Sequence, residues 1–186
     1  MSLAVFPRDN AKKSDVKKLR RTGQVPAVLY GLDQSNKNVY VQLDQLQALL
    51  RQVRPGLLAT TVFQLQENGT NFKAVIKEVQ YHKATYAIIH VDFAIVTDTT
   101  PVSVNVPIQV AGLSECPGIK LGGFMRQTIR ALKVRCLPKD IPQELVADVA
   151  NLGIGGALRL ADLKVPANVS PIGRMSEVAV VIAKKA

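Results

Sequence analysis

Residues 57–80 read LLATTVFQLQENGTNFKAVIKEVQ, and this stretch decides the fold class. Two runs rich in β-branched and apolar residues, 57–66 and 71–80, flank the tetrapeptide Glu67-Asn68-Gly69-Thr70. Asn-Gly supplies the positive φ angles that a tight hairpin turn requires, and the flanking composition is typical of strands. The stretch therefore predicts an antiparallel β-hairpin.

The segments on either side of the hairpin extend the same interpretation. YAIIHVDFAIV at 86–96 and VPAVLYG at 25–31 are apolar runs, and NVYVQL at 38–43 alternates apolar with polar residues, as strands do. Asp44, as a helix cap, and the leucines that follow at helical spacing predict one amphipathic helix over 44–53. The first 96 residues therefore predict a β-rich domain.

A second domain is expected beyond residue 96. TDTTPV at 97–102 is polar and contains a proline, which is typical of a domain boundary. Further strands are predicted at 102–110, 127–137 and 176–183, whereas ELVADVANL at 144–152 fits either a strand or a helix. The prediction is a mostly β chain with a few short helices, divided into domains 1–96 and 97–186.

Composition limits the possible function classes. The chain has 186 residues, of which 47% are hydrophobic, enough for compact folding, and a net charge of +10, which favours a polyanionic partner such as nucleic acid. No run of about 18 apolar residues is present to cross a membrane, and the opening residues lack the apolar core of a signal peptide, so we expect a cytoplasmic protein. Cys116 and Cys136 have neither metal-ligand spacing nor a neighbouring histidine, so we expect free thiols, no metal and no cofactor.

The positive charge is concentrated in residues 8–21. This segment holds seven basic and two acidic side chains, a net +5, and Ser14 is a candidate cap for one helical turn within it. Lysine and arginine at this density can follow an RNA backbone through ion pairs and counterion release. A solvated surface loop is the alternative interpretation of the same residues. The basic residues are Arg8, Lys12, Lys13, Lys17, Lys18, Arg20 and Arg21.

The strand around His90 carries a polar pair. His90 and Asp92 are two residues apart, so both project from one face of the predicted strand, opposite Val91 and Phe93. The pair could meet base edges or a ribose hydroxyl, or it could be a histidine held by its neighbouring carboxylate. His82, His90 and Asp92 also suggest a hydrolase or nuclease, but no nucleophile motif accompanies them. We therefore assign no catalytic residue and expect a protein that is not an enzyme.

Three segments of the first half carry a family resemblance. They are KKLRRTGQVPAVLYG at 17–31, VIKEVQYH at 75–82 and HVDF at 90–93. Together they resemble the bacterial large-subunit ribosomal proteins that bind 5S ribosomal RNA.

The second half resembles the additional domain of the long form of that family, the CTC or general stress protein type. The segments are VPIQVAG at 106–112, GIKLGG at 118–123, CLPKDIPQEL at 136–145 and LADL at 160–163.

The resemblance implies an N-terminal β-barrel-like domain that binds 5S ribosomal RNA at its non-canonical internal loop, followed by a β-rich C-terminal domain. It implies 5S ribosomal RNA and neighbouring large-subunit components as partners, without a cofactor or small-molecule substrate. The resemblance also implies a set of RNA-binding residues. Those that would hold phosphates and groove edges are Arg8, Lys13, Lys17, Lys18 and Arg20. The sugar-phosphate backbone would be contacted by Tyr30, and the residues that would contact RNA from the sheet are Lys77, His90 and Asp92. Lys12 and Arg21 join this set on charge alone. The alternative is a stress-related protein-interaction module whose RNA affinity is incidental.

Overall fold

The computed structural model describes residues 2–8, 13–31, 34–67 and 69–184, which form two compact units, Met1–Thr100 and Pro101–Ala186. The sequence predicted the division at 96/97. Backbone N–H of Val96 donates to the carbonyl of Lys73 at 2.9 Å, and Lys73 Nζ lies 2.9 Å from Asp98 Oδ1. These contacts keep residues 96–98 with the first unit.

The first unit is a closed barrel of six strands in the order β1-β3-β2-β6-β5-β4. Its strands are β1 (Ser2–Pro7), β2 (Gln24–Gly31), β3 (Gln34–Gln42), β4 (Val62–Glu67), β5 (Thr70–Tyr81) and β6 (Ile88–Ile95). Its helices are α1 (Lys13–Arg21) and α2 (Leu43–Gln52), with a 3-10 helix at Leu58–Thr60. The predicted mostly β class with a barrel-like first domain is confirmed.

Alternation along the strands fills the barrel. The inward positions are apolar and almost fully buried, and they include Leu3, Val5, Val25, Ala27, Leu29, Val39, Val41, Phe63, Leu65, Val91 and Phe93. Burying a large apolar side chain contributes about 1.5–3 kcal/mol, so this interior is the main stabilising element of the unit. The residues between them face outward and are available for other contacts.

The predicted hairpin is confirmed. Strands β4 and β5 pair antiparallel with Glu67 opposite Thr70, and Gly69 has φ +85°. Asn68 lies outside the described residues. The first strand was predicted from residue 57, which is wrong, because Leu58–Thr60 forms a 3-10 helix before β4 begins. The hydroxyls of Thr60 and Thr61 both donate to the carbonyl of Leu57, at 3.0 and 2.8 Å, a side-chain interaction that competes with strand pairing.

Both predicted helix caps are wrong. Ser14 lies inside α1, where its hydroxyl donates to Asp15 Oδ1 at 3.3 Å, and the helix is longer than the single turn predicted. Helix α2 begins one residue before Asp44, with Gln42 at the cap position and no side-chain cap bond. Asp44 instead lies in the first turn, where its charge interacts favourably with the helix dipole.

The second unit contains two sheets. One has the order β10-β7-β9-β12 and the other β11-β13-β8. The strands are β7 (Val102–Ala111), β8 (Gly123–Gln127), β9 (Ala131–Cys136), β10 (Leu145–Asp148), β11 (Ala157–Arg159), β12 (Ser170–Pro171) and β13 (Val178–Lys184). Helix α3 (Pro117–Lys120) and 3-10 helices at Pro138–Asp140 and Leu160–Asp162 connect them.

Two sequence expectations are resolved in this unit. The segment 127–137, predicted as one strand, is divided, because Gln127 ends β8 in one sheet whereas β9 pairs with β7 in the other. The ambiguous segment 144–152 contains strand β10, which pairs parallel to β7 with Leu145 opposite Ile108. Pairing with a strand distant in sequence decides both cases.

Both cysteines are free, as the sequence predicted, and both are buried, whereas we expected them to be half-buried. Cys116 is 0% exposed, and its thiol donates to the carbonyl of Leu152 at 3.1 Å. Cys136 is 4% exposed, and its burial, together with the charge of Asp140, raises the pKa of its thiol.

We therefore predict that both thiols resist alkylation in the folded protein, because the thiolate is the reactive form and neither sulfur is accessible. Mass spectrometry after timed iodoacetamide treatment should show slow labelling under native conditions and two rapid additions in denaturant. Rapid stoichiometric labelling of the native protein would contradict this packing.

Candidate nucleic-acid interface

Helix α1 presents its basic residues on one side. We call four of these basic residues the α1 cations: Lys17, Lys18, Arg20 and Arg21. At about 100° per residue, they lie on a different side of the helix axis from Val16 and Leu19. The α1 cations are exposed, whereas Val16 and Leu19 are half-buried. Lys13 begins the helix, but its side chain, like the whole of Lys12, lies outside the described residues. The helix thus combines a packed side with a cationic side.

The end of α1 is fixed to the barrel. Arg20 Nε donates to the carbonyl of Ile89 on β6 at 3.0 Å. The backbone N–H and the hydroxyl of Thr22 both donate to the carbonyls of Lys18 and Leu19, which satisfies carbonyls at the end of the helix. Gly23, with φ +73°, then turns the chain into β2. These contacts hold the α1 cations beside the start of β6.

Arg8 brings a further cation to the outer surface. Its Nε donates to the carbonyl of Val39 at 3.2 Å, and its Nη2 donates to Asn38 Oδ1 at 3.3 Å. Burial and the charge of Arg20 lower the pKa of Arg8 below its ordinary value, which indicates that the two guanidinium groups interact. The repulsion between them would be relieved by an anion such as a phosphate.

Strand pairing assembles an outer polar row across the barrel. Asn38 lies opposite Val28 on β2, Val28 lies opposite Asp92 on β6, and Asp92 lies opposite Glu78 on β5. His90 lies opposite Gln80 on the same side of the β5–β6 pair. Asparagine, glutamine, histidine and carboxylate groups therefore line one side of the barrel exterior. We call these five residues, Asn38, Glu78, Gln80, His90 and Asp92, the outer polar row.

The histidine and carboxylate predicted to share a face are in contact. His90 Nδ1 lies 2.7 Å from Asp92 Oδ1, and the two side chains are 21% and 30% exposed. The same oxygen is buried and has no aligned hydrogen bond within the described part of the chain. The contact is an ion pair when His90 is protonated, and it keeps the histidine beside its neighbouring carboxylate. Since Oδ1 is buried against the histidine, a ligand would meet the part of the Asp92 side chain that is exposed.

Tyr30 and Lys77 adjoin this row. Tyr30 lies two residues beyond Val28, which is opposite Asp92, so it is on the same side of the barrel. Burial, followed by the charges of Asp92 and Glu78, raises the pKa of Tyr30. Lys77 is half-buried at the irregularity between Ile76 and Glu78, where β5 shifts register against β6. Such a bulge redirects a side chain relative to a regular strand.

The enzyme hypothesis gains no geometric support. His82 lies in the turn before β6, where its Nδ1 accepts the N–H of Thr85 at 3.3 Å. His90 is instead in contact with Asp92. Within the described ranges, no group of three or more metal-ligating side chains is present.

Sequence reasoning missed Asn38, Glu78 and Gln80. Each occupies an outward position on a strand, and the alternation of apolar and polar residues could have indicated this orientation. Their association with His90 and Asp92 depends on the register between separate strands, which the sequence does not specify. Phe6 and Tyr40, which stack on the exterior near Arg8, were missed for the same reason.

Two family models match the chain, one in each of its two units. Residues 3–93 match the model of the Ribosomal L25p family, and residues 101–186 match the Ribosomal protein TL5, C-terminal domain. The protein named large ribosomal subunit protein bL25 in Chlamydia trachomatis serovar L2 is 42% identical over 185 residues, covering 100% of both chains. Its namesakes in Chlamydia muridarum and Chlamydia pneumoniae are 40% and 39% identical over the same length and coverage.

The chain belongs to the bL25 family. The resemblance predicted from the sequence is thereby confirmed for both halves, including the long two-domain form. The bL25 family consists of ribosomal structural proteins, which confirms that the chain is not an enzyme and agrees with the predicted cytoplasmic location. No helix in the described part of this bL25 family member is long and apolar enough to cross a membrane.

The environment of Tyr30 gives a testable pH dependence. Because its pKa is raised, the folded state favours the neutral phenol. Its contribution to stability is therefore complete below the ordinary tyrosine pKa of about 10 and is lost as the pH rises through the raised value. We predict that Glu78→Gln lowers the pKa of Tyr30, measured by NMR titration of its ring carbons. Glu144→Gln, an exposed carboxylate in the second unit, should leave that pKa unchanged. An unshifted titration in Glu78→Gln would contradict the proposed proximity.

Proposed function

We propose that this protein is a structural component of the large ribosomal subunit that binds 5S ribosomal RNA at its non-canonical internal loop. The observation that carries the proposal is the hydrogen bond from Arg20 to Ile89, which places the α1 cations beside the outer polar row. One surface thereby combines groups that hold phosphates with groups that discriminate between bases.

The chemistry of the two parts is complementary. Exposed lysines and arginines neutralise phosphates and release counterions, which provides affinity without sequence information. Carboxylates would be repelled by phosphates, so Asp92 and Glu78 fit a different target, the N–H and amino donors of bases and the 2′-hydroxyl. A regular A-form helix hides its major groove from side chains, whereas an internal loop exposes irregular base edges. The surface therefore suits an internal loop flanked by helical RNA.

The proposed roles follow this division. The phosphate and groove contacts come from Arg8, Lys12, Lys13, Lys17, Lys18, Arg20 and Arg21. Tyr30 contacts the sugar-phosphate backbone, and Lys77, His90 and Asp92 contact RNA from the sheet. The name of the relatives supports neighbouring large-subunit components as further partners.

The first test is binding of the full chain to 5S ribosomal RNA by gel shift over a salt series. We expect selective binding to the native RNA over a variant whose internal loop is replaced by regular base pairs. The logarithm of the affinity should fall linearly with the logarithm of salt concentration, in proportion to the phosphates neutralised. Equal binding to both RNAs, or salt-insensitive binding, would overturn the proposal.

A second test uses Arg20→Ala. We expect a loss of about 1–3 kcal/mol in binding free energy if Arg20 makes a specific bidentate contact, since both the RNA contact and the attachment to Ile89 are removed. The matched control is Arg51→Ala, which removes an exposed arginine of the same charge from α2. Isothermal titration calorimetry of both variants measures whether the loss of affinity is specific to Arg20. Similar affinities for Arg20→Ala and Arg51→Ala would count against the proposed role of α1.

A further inference from the structure

An aromatic pair lies on the barrel exterior, separate from the α1 cations and the outer polar row. The rings of Phe6 on β1 and Tyr40 on β3 stack with centroids 5.2 Å apart and planes inclined by 21°. The two residues are directly opposite in the β1–β3 register. Their neighbours Leu3, Val5, Val39 and Val41 fill the barrel interior, so the rings belong to the outer surface. Phe6 is 38% exposed, so part of its ring is accessible from outside the barrel.

The two rings differ in their surroundings. Tyr40 lies between Phe6 and Pro26, its partners on β1 and β2. Phe6 has Tyr40 on one side, but the β1–β4 pairing within the described residues ends at Ala4 opposite Gln66. Of the two rings, that of Phe6 belongs to an exposed residue, whereas Tyr40 is half-buried.

A cation adjoins the aromatic pair. Arg8 lies two residues beyond Phe6, and its backbone N–H donates to the carbonyl of Asn38 at 3.0 Å, so the β1–β3 pairing continues to this position. Residues two apart project from the same side of a strand. The guanidinium is held by hydrogen bonds to Val39 and Asn38 and interacts with Arg20. A fixed positive charge therefore lies beside an accessible ring.

We propose that Phe6 and Tyr40 form a stacking site for an unpaired base of the bound RNA, with Arg8 holding a phosphate next to that base. This inference rests on the proposed function and adds a residue-level contact outside the set predicted from the sequence. A nucleotide combines a flat apolar face with an anionic group, which matches an exposed ring beside a cation. An apolar protein segment would cover Phe6 but would supply no anionic group for the guanidinium of Arg8, which hydrogen bonds hold beside the ring.

The proposed site predicts that removing the ring and removing the charge change RNA binding in different ways. Base–aromatic stacking is worth about 1–3 kcal/mol, so Phe6→Leu should weaken binding to 5S ribosomal RNA by about 5- to 150-fold. The salt dependence should not change, because no charge is removed. Phe6→Tyr keeps the ring and should bind within about twofold of wild type. Arg8→Gln should lower the steepness of the salt dependence by about one ion.

The experiment measures binding of the full chain to 5S ribosomal RNA by calorimetry over a salt series. Phe124→Leu is the matched control, because it makes the same change at a phenylalanine 50% exposed in the second unit. Thermal unfolding verifies that each variant is folded. As an independent readout, a photoreactive phenylalanine analogue at position 6 should crosslink to a base of the internal loop.

The outcomes distinguish failure of the stacking site from failure of the proposed function. Selective binding by wild type, with Phe6→Leu equal to wild type or Phe6→Tyr as weak as Phe6→Leu, would overturn the stacking site alone. A position-6 crosslink to a co-purifying protein rather than RNA would also overturn it. If wild type does not discriminate between native and base-paired RNA, the proposed function fails, and the stacking site fails with it.

Discussion

Closure of six strands into one barrel is the constraint on which the rest of the structure depends. Each barrel strand has neighbours on both sides, so its backbone donors and acceptors are paired within the unit rather than presented at a free edge. Apolar side chains such as Phe63 and Phe93, both fully buried, fill the interior. Every second residue is therefore committed to the core, and the residues between are directed outward. The outer polar row is a consequence of this alternation combined with the register of four strands.

The attachment of α1 adds charge to that surface. Arg20 reaches the carbonyl of Ile89, and Thr22 and Gly23 end the helix where β2 begins. The α1 cations therefore lie next to acidic groups without being neutralised by them, since no salt bridge among the described residues involves a lysine or arginine of α1. The cations suited to phosphates come from the helix, whereas the carboxylates suited to base donors come from the sheet. Both kinds of group can therefore lie on one surface.

Local sequence signals predicted much of the fold. Asn68-Gly69 and the runs beside it indicated the hairpin, apolar runs indicated strands β2 and β6, and alternation indicated β3. The errors occurred where side chains compete with regular structure, as at Thr60 and Thr61, or where a nearby residue resembled a cap, as at Ser14 and Asp44. The charge block and the His90–Asp92 pair could be found in the sequence because their members are close along the chain. Glu78, Asn38 and the Phe6–Tyr40 stack could not, because they depend on pairing between strands distant in sequence.

The central claim is that RNA contacts the first unit through α1 and the outer face of β6. Hydrogen–deuterium exchange of the full chain, free and bound to 5S ribosomal RNA, tests it most directly, since a helix on the barrel exterior opens more easily than core strands. We predict slower exchange on binding at residues 13–23 and 88–95, with strands β7 and β9 of the second unit unchanged. Protection confined to residues 101–184, with none in α1, would contradict the account.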